Sequence, residues 1–155
     1  MNSVASEPAL IGVDWGTSSL RAFLIGQQGE VLEGVSSSEG IMQVAGQTFE
    51  AVLDRLIGPW VAKANLPILA SGMITSRNGW VETTYAEMPL GACGLAQALV
   101  PHDASSGARI HFVTGASTEH AGGPDVMRGE ETQIIGASAL GLSEGTFVMP
   151  GTHSK

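Results

Sequence analysis

Ile11-Gly12-Val13-Asp14-Trp15-Gly16-Thr17-Ser18-Ser19-Leu20-Arg21-Ala22-Phe23-Leu24 is an apolar run that ends on a carboxylate, turns through glycine and hydroxyl residues, and resumes as a second apolar run. Two short apolar runs this close together read as adjacent antiparallel strands. Gly16 lets the backbone approach a ligand closely. Thr17 and Ser18 add hydroxyl and N–H donors, the makings of an anion-binding nest. Asp14, delivered to the strand end, suits a hydrated magnesium ion. The same residues also suit an ordinary hairpin closed by an Asx-type turn, so this stretch alone leaves both readings open.

Working outward, strands are expected at Ala9–Asp14, Leu20–Ile25 and Glu30–Val35, the last two joined by a turn at Gln27-Gln28-Gly29. Thr48 is placed to cap a helix from Phe49 to about Ala64, with Phe49, Val52, Leu53, Leu56 and Trp60 on one apolar face. Gly58-Pro59 is expected to kink or shorten it. Leu66–Ala70 reads as a buried strand, residues 73–92 as a long connection of the kind that carries function, and Cys93–Val100 as a short helix. Pro101–Ala108 reads as a loop, Ile110–Thr114 as a strand and Gly115–Asp125 as a loop. A helix is expected from Gly129 to Leu140 and a last strand at Phe147–Met149. Strands alternating with helices after an antiparallel start indicate an α/β lobe with a mixed sheet. Such sheets bind ligands beyond the carboxyl ends of their parallel strands.

Composition narrows the class. Of 155 residues, 43% are hydrophobic and 14% charged, which excludes a disordered polyelectrolyte. The net charge of −8 and the absence of a basic patch argue against nucleic acid as a partner. Cys93 is the only cysteine, so no intrachain disulfide can form, and it is expected to be a buried apolar residue. Met1–Pro8 lacks the features of a signal peptide, and no apolar run nears membrane-spanning length. A cytoplasmic chain without a membrane partner is therefore expected. His102, His111, His120 and His153 lack metal-ligand spacing. Neither a Walker A loop nor a G-x-G-x-x-G fingerprint is present.

Three further stretches have chemical character. Val126-Met127-Arg128-Gly129-Glu130-Glu131-Thr132-Gln133 places two carboxylates in the first turn of a helix. There they complement the helix dipole, or one of them serves as a general base. Phe147-Val148-Met149-Pro150-Gly151-Thr152-His153-Ser154-Lys155 is a second apolar run opening into glycine, hydroxyl and cationic residues, either a second phosphate loop or a frayed surface turn. Ala70-Ser71-Gly72-Met73-Ile74-Thr75-Ser76-Arg77-Asn78-Gly79-Trp80 suits a polyhydroxylated acid, with Arg77 for a carboxylate, Asn78 for hydroxyls and Trp80 as an apolar wall. A solvated loop with one buried Trp fits the same residues.

Four segments in this order, Ile11–Leu24, Leu69–Glu82, Val126–Ala137 and Val148–Lys155, resemble the 2-dehydro-3-deoxygalactonokinases of the actin-like ATPase (hexokinase) superfamily. The resemblance implies a ribonuclease H-like lobe with a mixed five-stranded sheet and helices on both faces. It implies that residues 1–150 form the N-terminal lobe, that 151–155 begin a second phosphate loop, and that a second lobe follows. It further implies ATP- and Mg2+-dependent phosphorylation of the primary hydroxyl of a sugar acid in galactonate catabolism. Asp14 would then handle the metal. Gly16, Thr17, Ser18, Gly151, Thr152, Ser154 and Lys155 would hold phosphate, and Arg77, Asn78, Trp80 and Arg128 the sugar acid. By analogy with exopolyphosphatases of the superfamily, Glu131 is preferred as the base over Glu130. The rival readings are a phosphohydrolase of the same fold and a non-catalytic single-lobe binding module.

Overall fold

A computed structural model describes residues 6–151 and 154. β1 (Pro8–Trp15), β2 (Leu20–Gly26) and β3 (Val31–Ser37) form the expected antiparallel meander. The α1 helix (Phe49–Val61) follows, and the Thr48 hydroxyl caps it by accepting from the Ala51 N–H at 3.1 Å. Pro59 lies inside its last turn, and the helix ends earlier than its apolar spacing suggests. β4 (Ile68–Ser71) pairs with β1 in parallel, and β7 (Arg109–Phe112) pairs with β4 in parallel.

Burial alternates along β1 as a half-covered strand requires. Ile11, Val13 and Trp15 are buried against Val52, Leu53, Ile57 and Trp60 of α1. Asp14, between two of them, is thereby turned to the opposite face.

The main sheet has six strands in the order β3-β2-β1-β4-β7-β6, one more than expected. The addition is β6 (Val100–Asp103), antiparallel to β7, in a segment expected to be loop. Its short register, Val100 against Phe112 to Asp103 against Arg109, closes through a turn at Gly107 rather than through an apolar run, so no periodicity announces it. Gly115–Asp125 is likewise strand, not loop. β8 (Gly115–His120) and β9 (Gly123–Met127) form a hairpin that joins β5 (Tyr85–Glu87) in a second sheet of three strands. Their polar composition, Gly115-Ala116-Ser117-Thr118-Glu119-His120, hides the pattern.

The α2 helix (Ala92–Gln97) is shorter than expected, and Cys93 on it is exposed, not buried. The α3 helix (Glu130–Ala139) lies where its acidic start indicated. Phe147–Met149 does not pair as a strand, and Val148 is 74% exposed. Helices were expected on both faces. α1 covers one, while the other opens on a cavity of about 410 Å³ walled by Leu10, Phe23, Ile25, Leu69 and Val113, which α3 meets only through Thr132 and Gln133.

Candidate active site

Asp14, next to last in β1, lies directly beside Ser71, the last residue of β4, so two parallel strands deliver their carboxyl ends to one place. A cleft of about 170 Å³ opens there. It is lined by Asp14, Gly16, Arg21, Gly72, Met73, Arg128, Gly129, Glu130, Gln133, Met149 and Pro150. Three of the four stretches singled out in the sequence thus meet at one site, together with the start of the fourth.

The turn after Asp14 is tightly held. The Gly16 N–H donates to the Ser19 carbonyl at 2.9 Å. The Ile41 and Met42 N–H groups donate to the Gly16 and Thr17 carbonyls at 3.0 and 3.2 Å. The Trp15 indole N–H donates to the Glu39 carbonyl at 2.9 Å. None of these bonds consumes the N–H of Thr17 or Ser18. Both residues are exposed and flank the cleft through Gly16.

Across the hairpin, Arg21 stands opposite Asp14, and its guanidinium donates to the carboxylate at 2.6 Å. Sequence reasoning missed Arg21, although counting finds it. Four turn residues, 16–19, pair Trp15 with Leu20 and therefore Asp14 with Arg21.

The floor is glycine. Gly72 has φ +96°, and a Cβ there would sit 2.8 Å from the Trp15 carbonyl oxygen. Gly129 has φ +111°, and its Cβ would lie 3.2 Å from the Gly72 Cα. Both conformations belong to glycine, and the contact seats the start of α3 directly on the end of β4.

The two glutamates then part. Glu130 lines the cleft and accepts the Arg128 backbone N–H at 2.8 Å. Glu131 is 5% exposed and turns to the other side of the helix, against Met88, Leu90, Ala116, Met127, Ile134 and Ile135. Its carboxylate accepts the Gly129 N–H at 2.8 and 3.0 Å. Burial pushes this carboxyl above its ordinary range, although the backbone bonds and the Thr132 hydroxyl pull the other way. The position preferred for the base from sequence is therefore buried and absent from the cleft lining that holds Asp14, and the runner-up is on that lining. Adjacent residues on a helix point about 100° apart, which separates the pair.

Arg128 extends away from the turn. Its Nη1 donates to the Thr75 carbonyl and hydroxyl, both at 2.6 Å, and to the Thr83 hydroxyl at 3.0 Å. Its Nη2 donates to the Thr83 carbonyl at 3.3 Å. The guanidinium lies over the Tyr85 ring, 4.3 Å from its centre.

The remaining expected substrate contacts lie elsewhere. Arg77 is on an exposed turn and pairs with Glu82 at 3.7 Å, with its side chain 86% exposed. Asn78 beside it is exposed. Trp80 is not a wall of the cleft. It packs in the core among Phe49, His102 and Phe112, with ring centres 5.2–6.5 Å apart. At the far end Met149 and Pro150 reach the cleft, while Gly151 and Ser154 are exposed. Thr152 and Lys155 lie outside the described residues.

A magnesium ion keeps several waters and needs one or two protein carboxylates beside substrate phosphates. Asp14, 29% exposed in the cleft with Glu130 also on its lining, fits that demand. No group of three or more metal-ligating side chains occurs among the described residues, so an all-protein metal cage is not what this site offers.

The family model described as 2-keto-3-deoxy-galactonokinase matches residues 14–155. The chain is 43% identical over 145 residues to a Rhizobium meliloti (strain 1021) protein named probable 2-dehydro-3-deoxygalactonokinase DgoK1, covering 92% of this chain and 47% of that one. It is 37% identical over 145 residues to the 2-dehydro-3-deoxygalactonokinase of Escherichia coli (strain K12), covering 94% and 47%. A crystal structure of a protein described as a candidate 2-dehydro-3-deoxygalactonokinase from Sinorhizobium meliloti superposes with a TM-score of 0.80 at 40% identity, covering 94% of this chain and 47% of that one. The chain spans about half the length of the curated relatives it matches. Matched from Asp14 onward, with the site's residues inside the match, the chain belongs to the 2-keto-3-deoxy-galactonokinase family.

Proposed function

We propose that this chain is the lobe of a sugar-acid kinase that carries the acceptor-activating residues for ATP-dependent phosphorylation of 2-dehydro-3-deoxygalactonate. The observation that carries this reading is the convergence of Asp14, Gly16, Arg21 and Glu130 on one cleft at the carboxyl ends of β1 and β4. In this reading Glu130 accepts the proton of the primary hydroxyl. The freed oxygen lone pair forms the new bond to the γ-phosphorus, and the bond to the ADP oxygen breaks with its electrons leaving on ADP. Phosphoryl transfer asks little covalent chemistry of a protein and much positioning and charge neutralisation. The turn Gly16–Ser18 supplies donors for phosphate oxygens. Arg21 holds Asp14 in place through a charge-assisted bond and adds positive charge beside the same oxygens. Asp14 is the residue that would hold hydrated magnesium, which neutralises phosphate charge when bound.

The remaining half of the relatives' length would supply the other side of the clamp, including the adenosine contacts, and the segment from Gly151 would belong to the second phosphate loop. Solvent exclusion and preorganisation provide much of the rate in such sites, so this lobe by itself is expected to fold without turning over. The test is ADP release measured by a coupled assay on the full-length enzyme and on residues 1–155. 2-Dehydro-3-deoxygalactonate, the gluconate-derived epimer and no acceptor are supplied in turn. Acceptor-dependent ADP release by the full-length protein alone is the expected result. Equal release without acceptor would replace the kinase with a phosphohydrolase, and comparable turnover by residues 1–155 would overturn the two-lobe requirement.

A further inference from the structure

We infer that Arg128 is the residue that recognises the carboxylate of the acceptor and so makes the kinase selective for sugar acids over neutral sugars; this rests on the kinase reading above. A guanidinium stays charged at any working pH and has five N–H donors. Here Nη1 and one Nη2 hydrogen are taken by Thr75 and Thr83, both uncharged. Among the described residues no carboxylate lies within 4 Å of it, whereas Arg21, Arg55, Arg77 and Arg109 each have one. A half-buried cation held rigidly but not neutralised is costly unless something else brings the anion. The donors left over are the Nε–H and the second Nη2–H. They share one edge of the planar group, the two-point fork that matches a carboxylate.

The position suits the substrate. Arg128 lines the cleft from just before α3, with its guanidinium anchored on Thr75 and Thr83 and over Tyr85, while the phosphate-binding turn lines it from the β1–β2 hairpin. A 2-dehydro-3-deoxy acid carries its carboxylate and its primary hydroxyl at opposite ends of a six-carbon chain, so the acid end faces away from the phosphates. The Tyr85 ring lies under the guanidinium, 4.3 Å away, and helps to hold it. Arg77, the residue expected from sequence to make this contact, is outside the cleft lining and paired with Glu82.

The experiment compares Arg128→Gln, Arg128→Lys and Arg77→Ala in the full-length enzyme, using the sugar acid and its neutral C1-amide as acceptors. Wild-type turnover of the sugar acid tests the kinase reading; only the variants test Arg128. Loss of a charge-assisted contact should lower kcat/KM for the acid by about 10- to 150-fold in Arg128→Gln, with little change for the amide and in the KM for ATP. Arg128→Lys keeps the charge but not the fork and should fall between. Should Arg128→Gln fail to fold, as judged by circular dichroism, Arg128→Lys bears the same comparison. An equal loss for acid and amide would make Arg128 structural. A rise confined to the KM for ATP would assign it to phosphate. Selectivity lost in Arg77→Ala and kept in both Arg128 variants would return the contact to Arg77. Each of these three results overturns the inference.

Discussion

Replacing Glu130 or Glu131 by Gln separates the two carboxylates that begin α3. Gln is nearly isosteric, and its amide oxygen still accepts a hydrogen bond. At position 130 it can therefore keep the Arg128 N–H contact, 2.8 Å in the wild type, so the loop before the helix should hold its shape. Only proton acceptance is lost. A positioned general base contributes about 10²- to 10⁴-fold, or about 3–5 kcal/mol in the barrier. Glu130→Gln should lower kcat by that factor, with the KM values for ATP and sugar acid moving far less. At position 131 the amide oxygen can still accept the Gly129 N–H, and the side chain remains among Met127, Ile134 and Ile135, outside the lining of the Asp14 cleft. The readjustment of one neutral hydrogen bond is worth about 1 kcal/mol, so Glu131→Gln should cost less than about tenfold in kcat. The assay is coupled ADP release at saturating acceptor and magnesium on the full-length enzyme, with circular dichroism confirming the fold of both variants. The reasoning is refuted if Glu131→Gln takes the large loss and Glu130→Gln stays within tenfold of wild type.

Two further outcomes concern stability and can be read on residues 1–155. Burial raises the folded-state value of the Glu131 carboxyl above its unfolded value of 4.5. The stability it contributes is therefore complete below about pH 4.5 and is lost as pH rises through the folded value. The urea midpoint of Glu131→Gln should gain on wild type across that rise, and a pH-independent gap would contradict the assignment. Trp80→Ala should destabilise the fold by about 3 kcal/mol, at the low end for a large aromatic because the ring is only partly buried. A variant of unchanged stability and weakened sugar-acid binding would instead restore Trp80 to the substrate site.

Local signals were strong wherever one face of an element had to be buried. β1 and β2 follow from alternating apolar residues around a glycine-hydroxyl turn, and α1 from its helical spacing and the Thr48 cap. Asp14 was legible because a charged residue at the end of an apolar strand stays on the solvent side. The acidic start of α3 was legible for the same kind of reason, since carboxylates suit a helix N-terminus whether or not they are catalytic. β6, β8 and β9 were not legible. Short polar strands bury too little to leave a period, and only pairing makes them strands: β6 with β7, β8 with β5 and β9 with β8.

The sequence by itself determined which elements form around Asp14 and which family they belong to, because each depends on residues a few positions apart. Tertiary structure alone decided the membership of the cleft. The phases of helix and strand put Glu130 in it and Glu131 behind it. The seat of Gly129 on Gly72 set the depth at which α3 meets β4, and the aromatic core drew Trp80 inward while Arg77 stayed in solvent. These are contacts between residues tens of positions apart, whose geometry follows from packing and not from any spacing along the chain.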